Sequence, residues 1–464
     1  MPNATSAPQT DYQRVSPVRA WSRRGRLLVA LVRFLYRVRG WLGGRQWSEV
    51  WPEHHEDPLM MKPAERLYLG YKYYFSPMWK PESGSDLERH FAEKCDEVAL
   101  PAGFETETEI TLSAGGDLMP YAAIRPDVCA GLWDEAGDFF FDADIVTANL
   151  ETPIDPTRPP SIVPEVMLYH MYFNASEQMF DVFSGLGRYK GFDVLSVANN
   201  HSLDMGVAGL LHTLDYLDSR QIAWCGATRS KAERLRLPII ARKGIRVAFL
   251  GATFSLNAET LPPDKPWLLE CHPLNLPNPD WSILVAQCRL ARECGADLIV
   301  AHLHMGCAYQ AYPSLHTMRN IREFCRLSGA DVVLANHPHN PQPFELLRMQ
   351  DPFSGVHKDV FVSYAQGDFV AYDIFSWCHL PVLYRLRFAK GAQGTFLSGV
   401  EGRILYTEAE TRGGRIRRLR FRDARALLAC PDTPHTLSPF SQKEWPYVRH
   451  FLQRRLLPGN LERL

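Results

Sequence analysis

The residues of this chain best suited to chemistry stand where apolar runs stop. Residues 191–209 read GFDVLSVANNHSLDMGVAG: Phe192, Val194, Leu195 and Val197 make a buried strand pattern, and Asn199, Asn200 and His201 follow at its edge. The design recurs in ADLIVAHLHM, where Leu298, Ile299 and Val300 lead to His302 and His304. Residues two apart on a strand share a face, so these two imidazoles can point the same way. In GADVVLANHPHNPQ, Val332, Val333 and Leu334 lead to His337 and His339. Two earlier runs end in carboxylates: EITLSAGGDL in Asp117, and ADIVTANLE in Asn149 and Glu151. Five strands thus each close on a candidate ligand, namely Asp117, Glu151, Asn200, His304, and His337 with His339. Imidazoles combined with an amide oxygen and carboxylates suit Zn, Mn or Fe ions. Taken one at a time, these residues have plainer readings: Asn199 and Asn200 can simply shape a turn, and His201 can cap the following helix.

Such groups need a frame that brings strand ends together. A helical pattern follows the Asn-Asn-His turn at Leu210, Leu211, Leu214 and Leu217, and another spans Trp281 to Cys294. Strand, polar turn, helix is the βα unit that places side chains at the carboxyl edge of a sheet. Ile239–Ala241 and Arg246–Leu250 flank Gly244 as a hairpin. Strands alternating with helices predict an α/β protein whose parallel or mixed sheet is covered on its faces. Residues 256–280, rich in proline, read as a long loop beside the site. Strands near 382–388 and 416–421 are expected to finish a second sheet, and a helix is expected from Trp445.

The order Gly-Asp, Asn-x-Glu, Asn-His, His, His-x-His resembles the dinuclear metallophosphoesterase fold. More narrowly, the chain is similar to the poly-γ-glutamate capsule-biosynthesis family of the CapA type. The segments that carry the resemblance are GGDLM, ADIVTANLETPI, GFDVLSVANNHSLDMGVAGL, CGAT with GIRVAFLGAT, AHLHMG, GADVVLANHPHNPQPFE and VSYAQGDF, over roughly residues 108 to 375. The resemblance implies a four-layer αββα sandwich and two divalent metal ions, Mn, Fe or Zn. It implies Asp117 and Glu151 as carboxylate ligands, Glu151 bridging, with Asn200, His304, His337 and His339 completing the set. His201 is then the general acid and Asp204 its orienting partner, although Asp204 reads equally as a first-turn helix carboxylate. The implied activity is hydrolysis of a phosphoester or related bond in the biosynthesis of a capsule polymer or specialised product, on an anionic small-molecule or polymer substrate. The alternative is a non-catalytic accessory that binds an anionic polymer or a membrane synthase complex.

The chain departs from the family pattern in places. Pro120-Tyr121-Ala122 replaces Leu-Gly-Arg, and Met305-Gly306-Cys307-Ala308-Tyr309 lacks the usual Trp and Glu. Asn336 stands where a His is frequent, and Asp368 replaces Asn in the Gly-Asn-Phe turn. These changes bear on substrate choice.

The 464 residues carry 51 basic and 52 acidic side chains, so no overall field favours nucleic acid. Ten cysteines without a CxxC pair fit reduced thiols and a cytoplasmic setting. Residues 1–46 read as a basic leader: Arg14 to Arg45 holds nine arginines and no acidic residue. As a helix, it sets Leu27, Leu31, Phe34, Leu35, Val38 and Trp41 on one face and Arg26, Arg33 and Arg37 on another. That pattern suits the surface of an anionic membrane or a membrane synthase; docking on its own domain is the alternative. Residues 47–107, rich in aromatics, read as a wrapping extension whose His54 and His55 are not ligands. Residues 108–430 read as the main domain and 431–464 as a helical tail.

Overall fold

The computed structural model describes residues 18–43, 47, 49–52, 54–93, 97–430 and 434–457. Parts of the expected leader and tail, including residues 1–17 and 44–46, lie outside them. Helices α1 (Arg23–Gly43), α2 (Pro63–Tyr74) and α3 (Leu87–Glu93) precede the first strand. The strands follow as β1 (Thr108–Leu118), β2 (Ile145–Leu150), β3 (Val194–Ser196), β4 (Ala223–Cys225), β5 (Ile239–Arg242), β6 (Ile245–Thr253) and β7 (Leu298–His304). After these come β8 (Val332–Asn336), β9 (Phe344–Gln350), β10 (His357–Ser363), β11 (Asp368–Val370), β12 (Val382–Gly391), β13 (Gly394–Arg412) and β14 (Arg415–Asp423). Helices α4 (Pro126–Cys129) and α5 (Gly137–Phe141) lie between β1 and β2, α6 (Glu177–Phe183) between β2 and β3, and α7 (Gly206–Ser219) between β3 and β4. Helix α8 (Ser282–Glu293) joins β6 to β7, and α9 (Leu315–Ser328) joins β7 to β8.

Among the described residues these strands form two sheets. One runs β14-β13-β12-β1-β2-β3-β4, with β11 also paired to β1; the other runs β5-β6-β7-β8-β10-β9. The pairs β1–β2, β2–β3, β6–β7 and β7–β8 are parallel, so their carboxyl ends lie at common edges. The hairpin at Gly244 forms as expected, its glycine at φ +77°. Strands β12 and β14 do not finish the second sheet, contrary to expectation. β12 pairs antiparallel with β1 and β13, and β14 extends that same first sheet. Antiparallel hairpin strands carry no local signal for which sheet they join; here β12 takes the free side of β1, and β14 adds beyond β13.

The two sheets pack face to face. Phe361 of β10 lies 4.9 Å, ring to ring, from Tyr384 of β12, and Thr147 Oγ1 of β2 is 2.8 Å from His302 Nε2 of β7. Ile110, Leu112 and Val194 share this inner core with Val247, Phe249, Val300 and Val332. Strands β7 and β8 are buried along their whole length, as central parallel strands must be when both faces are covered. Leu210, Leu214 and Leu217 of α7 and Phe180 and Phe183 of α6 share the outer core of the first sheet with Val146, Ala148 and Leu195. Leu284 and Cys288 of α8 and Ile321 and Phe324 of α9 cover the second. Helix α9 starts where Ser314 accepts a hydrogen bond from the Thr317 N–H and stops at Gly329 in the left-handed region. Helices, sheet, sheet, helices give the four-layer αββα order.

Residues before the first strand contact the sandwich at several points. Tyr73 of α2 donates from its hydroxyl to Asp373 Oδ1 at 2.5 Å, and the Ala311 N–H donates to the Met78 carbonyl at 2.8 Å. Helix α1 docks through Gly25, Val29 and Tyr36, the last stacked on Tyr74 at 5.9 Å. The apolar residues singled out in the sequence face outward, with Trp41 82% and Leu27 74% exposed. Arg33 is not on an open basic face as expected: it is half-buried over the Phe75 ring at 5.8 Å. Lys or Arg stems cover apolar surface while their heads stay hydrated, which reconciles a basic residue with the docked side.

Candidate metal centre

The carboxyl ends of β1, β2, β3, β7 and β8 deliver the candidate ligands to one buried place. Asp117 closes β1, Glu151 follows β2, Asn200 lies in the turn after β3, His304 ends β7, and His337 and His339 follow β8. Ligand atoms of Asp117, Glu151 and His304 lie within 4.8 Å of one another, as do those of Asp117, His339 and Asp368. Asp117 belongs to both groups, so the two positions adjoin. His304 Nε2 is 2.9 Å from Asn200 Oδ1 and 3.6 Å from Glu151 Oε1, which brings an imidazole nitrogen, an amide oxygen and a carboxylate oxygen to one point. The His337 ring lies 5.2 Å from that of His304, and the His337 N–H donates to Asp117 Oδ2 at 3.2 Å. Asp117, Glu151, Asn200, His304 and His339 therefore bring donor atoms together, and His337 adjoins them.

The backbone is held tightly here. His337 has φ +101° and His339 φ +62°, a region that side chains with a Cβ adopt at a cost of about 1–3 kcal/mol each. The surroundings fix them: the Asp368 N–H donates to the His339 carbonyl at 3.1 Å, and the Tyr309 ring stacks on His339 at 5.5 Å. Asn149 donates to Asp117 Oδ1 at 2.7 Å and so holds the carboxylate from the next strand. Gly116 lets β11 approach, because a Cβ there would lie 1.9 Å from the Gly367 carbonyl oxygen.

The donor set fits a divalent cation. Glu151 is fully buried and neither carboxylate oxygen has a hydrogen-bond donor; Asp368 Oδ2 and His337 Nδ1 are buried and unpaired as well. Buried polar atoms are rarely left without a partner, and a charge without one is costly. Burial, reinforced by Asp117 and Asp368, drives Glu151 well above the ordinary carboxylate range. Burial and Asp368 raise Asp117 to about 6, and burial raises Asp368. Burial lowers His304 and His337, so both rings are neutral and able to ligate. Against its own burial, His339 is raised to about 9 by the Asp368 carboxylate 2.9 Å away. Positive charge supplied among these carboxylates relieves the same imbalance that otherwise draws in protons.

His201 stands apart from this set. Its Nδ1 is 2.6 Å from Asp204 Oδ2, and its ring stacks on Phe173 at 3.8 Å. Asp204 is thus an imidazole partner in the turn before α7. His302 bonds Thr147 between the sheets, burial lowering it to about 3, and takes no place among the ligand groups. The loop 256–280 does border the site: Asn257 exchanges hydrogen bonds with Asn200 at 3.1 and 2.9 Å.

Two carboxylates went unrecognised as site residues. Asp368, seen in the sequence only as a departure from Asn, joins Asp117 and His339. Glu56, in the extension, puts Oε2 3.0 Å from His337 Nε2. Its signal was absent from the sequence, since residues 46–62 have no periodicity and the contact spans most of the chain.

Two mixed sheets face to face, helices outside both, and carboxylate, amide and imidazole groups gathered at the shared carboxyl edge define a four-layer α/β sandwich with a candidate metal centre. The chain belongs to the bacterial capsule synthesis protein family PGA_cap, whose profile matches residues 111–373. It is 24% identical over 287 residues to the capsule biosynthesis protein CapA of Bacillus anthracis, covering 59% of this chain and 62% of the relative. It is 26% identical over 181 residues to the PGA biosynthesis protein CapA of Bacillus subtilis, covering 39% and 42%. The chain thus spans less than two thirds of either relative. The calcineurin-like phosphoesterase YfkN of Bacillus subtilis is 11% identical, with a TM-score of 0.35 over 76% of this chain and 99% of that one, a likeness too slight to argue from.

Proposed function

We propose that this chain is a divalent-metal-dependent hydrolase of a phosphoester or related bond, working in the biosynthesis of a capsule-type polymer or a related specialised product. The observation that carries the reading is the fully buried Glu151, both oxygens undonated, set between Asp117 and His304. In this reading Asp117, His339 and Asp368 would hold one ion, and Glu151, Asn200, His304 and His337 a second beside it. Divalent metal held by these residues would offset the charge of phosphoryl oxygens and activate water. The protein's own part is positional. Asn149 fixes Asp117, Asn257 fixes Asn200, and Asp204 fixes His201 so that its Nε2 is the nitrogen left to give a proton to a leaving oxygen. The test is a panel of alkyl phosphoesters, phosphodiesters and γ-glutamyl peptides, assayed before and after chelation. Hydrolysis of a phosphoester that chelation abolishes and added metal restores is expected. Metal-loaded protein that cleaves no member of the panel supports the accessory, polymer-binding role instead.

A second reading concerns attachment. No helix among the described residues is long and apolar enough to cross a membrane. Helix α1 nevertheless exposes Leu27, Leu31, Phe34, Leu35, Val38 and Trp41 beside exposed Arg23, Arg24, Arg26 and Arg37, which supports peripheral contact with an anionic bilayer.

A further inference from the structure

Glu56 is out of place for a surface extension. It is 3% exposed, sits at φ +56° in the left-handed region, and lies well before the residues that match the family profile. Its Oε1 accepts from Lys72 Nζ at 2.5 Å, while Oε2 accepts from the Ala308 N–H at 2.8 Å and reaches His337 Nε2 at 3.0 Å. The carboxylate therefore lies against Ala308, in the turn that follows His304.

We propose that Glu56 is the positioning residue for His337: the extension supplies the carboxylate that fixes which ring nitrogen faces the metal centre. The inference rests on the reading of His337 as a ligand. A carboxylate paired with Lys72 can only accept, so the proton of the neutral His337 ring stays on Nε2. That leaves Nδ1 with its lone pair, and Nδ1 is the buried nitrogen without a protein partner, on the residue whose backbone N–H holds Asp117. A ligating imidazole that donates its other N–H to a carboxylate has its tautomer and orientation set in advance. Lys72 balances the charge, and α2 holds Lys72. Through that chain of contacts the extension becomes part of the centre.

The test is cobalt titration of the full chain, followed by calorimetry and by visible absorption of the bound ion. Glu56→Gln keeps the shape but strands Lys72, so Glu56→Gln/Lys72→Met is made beside it. Tyr73→Phe, which loosens the extension from Asp373 without touching His337, is the control for mere loosening. The expected result is a roughly 10–100-fold weaker cobalt site with an altered spectrum in both Glu56 variants, and wild-type binding in Tyr73→Phe. A folded double variant that binds cobalt with wild-type affinity and spectrum overturns the role of Glu56. So does equal weakening in Tyr73→Phe. Wild-type protein that binds no cobalt instead defeats the metal reading underneath. Long-range proton–nitrogen NMR of the wild-type His337 ring gives an answer independent of any variant's folding: Nε2–H is expected, and Nδ1–H overturns the proposal.

Discussion

Replacing His201 by alanine separates proton transfer from metal binding. In the native protein the imidazole is held from two sides, by Asp204 at 2.6 Å and by Phe173 stacked at 3.8 Å. Removing the ring does not strand Asp204, whose Oδ2 also accepts from the Phe173 N–H at 2.6 Å. The stability loss should therefore match a hydrogen bond to a charged group, about 1.5–3 kcal/mol, without collapse of the turn. The candidate ligands keep their contacts, because Asn200 is held independently by Asn257. Activity toward alkyl phosphoesters, whose leaving oxygen needs a proton, should fall by about 10²–10⁴-fold. Nitrophenyl esters, whose leaving group departs unprotonated, should change far less. The assay is kcat/KM on matched alkyl and nitrophenyl esters, with metal content measured on the same preparation. Loss of metal would make His201 a ligand, and an equal fall for both esters with metal retained would assign it to substrate binding; either result refutes the argument.

Gly116→Ala should lower stability by about 1–3 kcal/mol, because the new Cβ meets the Gly367 carbonyl oxygen and pushes β11 from β1. Since Asp117 and Asp368 are paired across that contact, metal affinity should fall with it; a variant with unchanged melting temperature contradicts the packing described. For α1, liposome sedimentation of the full chain against a chain starting at Gln46 should show binding to anionic vesicles that depends on the helix and weakens with salt, each arginine near the surface adding about 1 kcal/mol. Equal sedimentation of the two chains ends that reading.

Much of the centre was legible because its chemistry is written locally. A buried strand demands continuous apolar residues, so an abrupt Asn-Asn-His or His-Pro-His marks a strand end without reference to any partner. All six ligand candidates were named that way. What depended on distant pairing was not legible. Strands β12 and β14 look alike whichever sheet receives them, and they joined the sheet that holds β1. Helix α1 announced its amphipathic pattern correctly, yet which stripe docks is decided by Tyr74 and Glu165: Tyr36 stacks on the former, and Ser22 donates its N–H to the latter at 2.6 Å. Glu56 was invisible for the same reason, since its burial is created by Lys72, Ala308 and His337 together.

The most direct measurement is the metal content of His337→Ala/His339→Ala beside the wild-type chain. Each of the two adjoining positions in the proposed centre loses an imidazole in this variant, which is the reason for changing both residues. Wild-type protein should carry about two equivalents of a divalent metal and gain thermal stability on loading, because a ligand bound only to the folded state stabilises it. The variant should carry no stoichiometric metal and show no such gain. Unchanged metal content in the variant would contradict the metal centre and the hydrolase built on it.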